Sequence, residues 1–155
     1  MVTVASIIEI VTRQFVNASL YGCCIPASIV THELLARNGF KSSLRKGLIL
    51  MDYGGGRRMA GFHVWMEVDG QAHDISHEVT CRLVPDIRQF KSSVTTSKLP
   101  MGYLRSDMDT HAEISTLVEN CNVYDSYCED KDHFWSVAPW NIRDIRRRVF
   151  STSMK

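Results

Sequence analysis

Gly22-Cys23-Cys24-Ile25-Pro26-Ala27-Ser28 is the stretch whose reading decides the fold. It leads into a run with helical character that ends at Asn38-Gly39. Pro26 fits a first turn, because the first N–H groups of a helix have no intrahelical partner. Gly39 supplies the stop, since glycine takes the left-handed conformation at C′. The pattern therefore predicts a helix from Cys24 to Arg37. Two adjacent cysteines cannot both face the same way. A helix start presents unpaired N–H groups and the positive end of a dipole, which favour a thiolate and can stabilise an oxyanion. Pro26 has no N–H, so oxyanion binding falls to the Cys24 amide and a side-chain donor. Tyr21, Asn17 and Gln14 are the candidates, Tyr21 being close to the cysteine in sequence.

On the N-terminal side, Ile7, Ile8, Ile10, Val11 and Phe15 recur at helical spacing and predict a helix over 4–17. On the C-terminal side, residues 42–52 read as a strand. The glycine-rich stretch 53–61 reads as a loop, lacking the lysine and helix start of a phosphate cradle. Residues 62–68 and 71–76 form the clearest hairpin, turning at Asp69-Gly70. Phe62, Val64, Met66 and Val68 alternate with His63, Trp65 and Glu67. A two-residue turn pairs 68 with 71, 66 with 73 and 65 with 74. Asp74 then lies opposite Trp65 and diagonal to His63, at a Cβ separation of about 7 Å. In that geometry a carboxylate orients an imidazole and stabilises its charged form. Further on, 109–120 and 141–150 read as helices and the acidic segment 124–135 as loop.

The 155 residues, 45% hydrophobic and 23% charged, predict one globular domain with a core. A formal net charge of +1 gives no bulk field for nucleic acid or membrane surfaces. The basic run Arg143 to Arg148 reads as a solvated helix face. The N-terminus has no basic leader, and no apolar run reaches the length of a membrane span. Five irregularly spaced cysteines argue against a disulfide framework and for a reducing, cytoplasmic compartment.

The combined motifs resemble the transglutaminase-like superfamily, a branch of the papain-like cysteine enzymes. The resemblance spans residues 22–76. Its first motif, Gly-x-Cys with a helix running to a Gly and a strand reaching another, is Gly22-Cys23-Cys24 with Gly39 and Gly47. The spacings match with Cys24 as the nucleophile and miss by one with Cys23. The second, His-Ala-Trp with an acidic-ended strand, is His63-Val64-Trp65-Met66-Glu67. The third, an Asp opening Asp-Pro-Thr, is Asp74-Ile75-Ser76. The resemblance implies an α+β fold with a papain-like core, its nucleophile helix on an antiparallel sheet. It implies Cys24 as nucleophile, His63 as general base and acid, Asp74 as orienting carboxylate, and no cofactor or metal. Trp65 packs beside these groups or contributes to substrate binding.

Acyl transfer through a thioester is the chemistry implied, on a protein, peptide or small acyl or amine substrate. Hydrolysis of an amide by a peptidase, amidase or deamidase leads, because water is always available. A transglutaminase or N-acyltransferase would use the same triad. Two rivals come from other classes. One is a non-catalytic binding module of the same fold. The other is a metal-dependent hydrolase built on His73, Asp74, His77 and Cys81, which the strand reading disfavours. Glu67 reads as a solvent-edge charge, His32 as a packed or exposed helix residue, and Cys121 and Cys128 as inert thiols.

Overall fold

The computed structural model describes residues 1–52, 58–84, 91–96 and 125–152. In chain order the elements are α1 (Val4–Asn17), α2 (Cys24–Arg37), β1 (Ser43–Asp52), β2 (Arg58–Val68), β3 (Gln71–His73), α3 (Ile75–Leu83), β4 (Lys91–Thr96), α4 (Lys131–Val137) and α5 (Trp140–Thr152). Residues 125–129 are also helical. The architecture is α+β, with strand order β3-β2-β1-β4 and antiparallel pairing of β2 with β3 and of β1 with β4. The chain divides into two compact units.

The first unit comprises Met1–Arg45, Val64–Arg88 and Ala138–Lys155. Its helix α1 opens with a capping box in which Thr3 and Ser6 exchange side-chain and backbone hydrogen bonds. Ile7, Val11 and Phe15 line its buried face, as the spacing predicts. The helix ends in a Schellman motif, with the Leu20 N–H on the Phe15 carbonyl and Ser19 at φ 53°. Helix α2 spans the predicted residues and also closes with a Schellman motif, Phe40 N–H to Leu35 O, with Gly39 at φ 82°. Residues Ala27 through Thr31 are all buried, more than one helix face allows. The neighbours account for it: α2 packs against α1, α3 and α5. Its two buried hydroxyls are both satisfied, Thr31 on the Ala27 carbonyl and Ser28 on the Val64 carbonyl. Helix α5 buries Ile142, Ile145 and Val149, and its Arg146 reaches Glu33 of α2 at 2.7 Å. Its remaining arginines are solvent-side, Arg147 and Arg148 both pairing with Asp144.

The hairpin turns where the sequence predicts. Asp69 and Gly70 both have positive φ, 50° and 78°, as a type I′ turn requires. Val68 pairs with Gln71 and Met66 with His73. The predicted third pair, Trp65 with Asp74, does not form. Strand β3 stops at His73, and Asp74 starts α3 instead. Residues 75 and 76 are therefore helical, a correction to the strand expected through 76. The physical reason is local. The Asp74 carboxylate accepts the His77 N–H at 3.0 Å, and Ile75, Val79 and Leu83 carry helical spacing that period-2 reading overlooks.

The second unit comprises Lys46–His63 and Gln89–Val137. Here Gly47 through Asp52 pair with Lys91 through Thr96. Arg58 to Gly61, expected as loop, belong to β2. The acidic segment expected as loop is helical on both sides of Asp130. Asp130 accepts the His133 N–H at 3.0 Å, an N-cap that acidic composition conceals. Tyr127, Phe134 and Trp135 stack edge to face, with centroids 5.3 and 5.2 Å apart, and Lys46 holds Asp125 at 2.7 Å. The helix expected over 109–120 and the loop over 53–57 lie outside the described residues.

Candidate active site

Cys24 is the first residue of α2 and half-buried. Cys23 is the N-cap residue, and its thiol points back to the Tyr21 carbonyl at 3.6 Å rather than capping the helix. Burial pushes the Cys23 thiol up, and a charge on Cys24 would push it further. Cys23 is thus held as a neutral thiol. The adjacent pair separates into one residue built into the helix and one turned away from it.

Ser28 lies one turn after Cys24 and on the same side of α2. Its hydroxyl donates to the Val64 carbonyl at 3.0 Å, with Ser28 fully buried. This bond fixes α2 to β2 at the residue that follows His63 in the chain. The sequence contained no signal for it, because it joins residues 36 apart.

His63 is on β2, buried, and belongs with the second unit, whereas Cys24, Trp65 and Asp74 belong with the first. Trp65 is only 2% exposed and is a core residue. Tyr21 is 59% exposed, and its backbone carbonyl is engaged by Cys23. Asp74 is half-buried at the N-terminus of α3. Its Oδ1 caps the helix through His77, a structural duty that the sequence reading did not assign to it. Glu67 is an edge charge, joined to Arg45 at 2.9 Å. His32 bonds Ser42 through Nδ1 at 2.7 Å, and Cys128 is exposed; Cys121 lies outside the described residues.

No protein-family model, curated protein or solved structure matches the chain. The chemistry must therefore be argued from these residues. On α3, Cys81 Sγ lies 3.6 Å from His77 Nε2, a cysteine–imidazole pair. It sits in the last turn of its helix, where the dipole opposes a thiolate, whereas Cys24 sits in the first turn of its own. His73 is on β3, away from the i, i+4 helical relation that a His73–His77 metal site needs. Among the described residues no group of three or more His, Cys, Asp or Glu is placed to hold a metal ion. Also among them, no helix is long and apolar enough to cross a membrane.

Proposed function

We propose that the chain is a transglutaminase-like cysteine enzyme, with a papain-like core, that cleaves an amide through a thioester. Cys24 is its nucleophile, His63 its general base and acid, and Asp74 the carboxylate that orients His63. One observation carries the reading: Cys24 opens α2, and Ser28, one turn on, bonds the residue next to His63. In the reaction the Cys24 thiol gives its proton to His63, and the sulfur attacks the substrate carbonyl carbon. The C–N bond breaks, and the amine leaves with that proton. Water, deprotonated by His63, then attacks the thioester, releasing the acid and restoring the thiol. Tyr21 is the candidate oxyanion donor beside the Cys24 amide. An acceptor amine in place of water would give transamidation by the same steps.

The test is alkylation by iodoacetamide at neutral pH, read cysteine by cysteine by mass spectrometry. Cys24 should label fastest of the five, and His63→Ala should slow it selectively. Cys81, with its own imidazole, is the internal competitor. Uniform labelling, or Cys81 ahead of Cys24, defeats the proposal.

A further inference from the structure

Helix α5 turns Ile142, Ile145 and Val149 into the core of the first unit and leaves its other side to solvent. Along that side Trp140, Arg143, Arg147 and Phe150 follow at i, i+3, i+7 and i+10, which places them in one stripe. The stripe runs about 15 Å along the helix axis. Trp140 is 72% exposed, so most of its indole meets water rather than protein. At the other end Phe150 is half-buried and already covered. The Arg37 guanidinium of α2 lies 5.2 Å from its ring centroid, and that of Arg146 5.1 Å. Arg37 and Arg143 are exposed, and among the described residues neither meets a carboxylate. Arg146 is paired with Glu33, and Arg147 and Arg148 share the single carboxylate of Asp144. Five arginines against two carboxylates leave a local surplus of three positive charges.

Charge and shape together select the occupant. Guanidinium forks receive phosphate oxygens two at a time. An indole open to solvent stacks an unpaired base. We propose that this stripe of α5, with Arg37 beside it, binds a single-stranded nucleic acid. Its phosphates meet Arg37, Arg143 and Arg147, and one base stacks on Trp140. A duplex keeps its base faces within its own stack and leaves the indole unused. An anionic lipid surface fits less well, because the apolar side chains of α5 that would insert into it are buried in the core. An acidic peptide matches the charge but gives the indole no base to stack on. The formal net charge of +1 keeps the affinity low without removing a local patch. The proposal does not rest on acyl transfer, and it gives the run Arg143 to Arg148 a use beyond solvation.

The test is fluorescence anisotropy of the full chain with a labelled oligothymidylate about twelve nucleotides long, at salt from about 50 to about 200 mM. Phosphate contacts from Arg37, Arg143 and Arg147 predict that log K falls against log salt with a slope of about −2. Arg143→Gln should weaken binding and flatten that slope by about 0.7, as for one lost phosphate contact. Trp140→Ala should weaken binding about fivefold or more and leave the slope unchanged, as for one lost stacking contact. Both side chains are exposed, so neither substitution should lower the melting temperature. Unlabelled competitors separate the other occupants. A duplex of the same length should compete about fivefold more weakly, and polyglutamate or phosphatidylserine vesicles about tenfold more weakly. No binding at about 50 mM salt, affinity unchanged in Trp140→Ala, or any of these competitors matching the single strand overturns the proposal.

Discussion

Asp74 is asked to do two things, and a pair of substitutions separates them. Its Oδ1 caps α3 by accepting the His77 N–H at 3.0 Å, and its carboxylate is proposed to orient His63. Asn caps a helix about as well as Asp, so Asp74→Asn keeps the cap and removes the charge. The lost charge–dipole attraction at a half-exposed helix end is worth about 0.3–1 kcal/mol, so the variant should lose about 0.5 kcal/mol. Asp74→Ala removes the cap as well, typically another ~1 kcal/mol. For a chain of this length that second step lowers the melting temperature by about 2–4 °C. Catalysis should order differently. Both variants lack the carboxylate, so both should lose amide hydrolysis about 10²–10⁴-fold, as when an imidazole loses its orienting Asp. The assays are thermal melting by circular dichroism and the Cys24 alkylation rate with its pH profile. Equal destabilisation by Asn and Ala refutes the cap. A Cys24 alkylation profile unchanged in Asp74→Asn, with wild-type turnover, refutes the orienting role.

Two further outcomes concern stability. Arg82 holds the Glu9 carboxyl below the usual carboxylate range, chiefly through their hydrogen bond. A lowered folded-state value contributes stability above the ordinary glutamate pKa, and that stability is lost as pH falls through the folded value. The pair is largely exposed, so the contribution is at most about 0.5 kcal/mol after screening. Urea melts of wild type and Glu9→Gln should therefore converge as pH drops from 5 towards 3, and parallel curves would contradict the pairing. Ser19 holds the left-handed C′ position of α1 at φ 53°, which costs a non-glycine residue about 1 kcal/mol. Ser19→Gly should raise the melting temperature by about 2–4 °C, and a decrease would show that the Ser19 side chain contributes something its backbone does not reveal.

What was legible in the sequence was local. The ends of α2 follow from the first-turn Pro26 and the C′ Gly39, and the hairpin turn from Asp69-Gly70, each settled by a few neighbouring residues. The same kind of signal was present but overridden at Asp74 and Asp130. Both are N-caps, and in both cases a neighbouring pattern drew attention away: strand alternation before Asp74, acidic composition around Asp130. The all-round burial of α2 was hidden for another reason. Ser28 and Thr31 look polar, and only the folded chain supplies the carbonyls that satisfy them.

The cysteine pair shows how local structure can choose between chemically identical groups. Residue type gives Cys23 and Cys24 equal claims, and their separation is a single residue. The backbone breaks the tie. At the N-cap, Cys23 has φ −96° and ψ 54°, and its side chain turns back to Tyr21 instead of forward to the helix. Burial there favours the neutral thiol. Cys24 takes the first helical position, so its direction follows the helix, and Ser28, one turn later on that side, is locked to Val64. The orientation of Cys24 is thus tied to β2 through a buried hydrogen bond rather than through the cysteine itself. The Cys23 sulfur is engaged with the Tyr21 carbonyl, whereas Cys24, the proposed nucleophile, takes the first helical position.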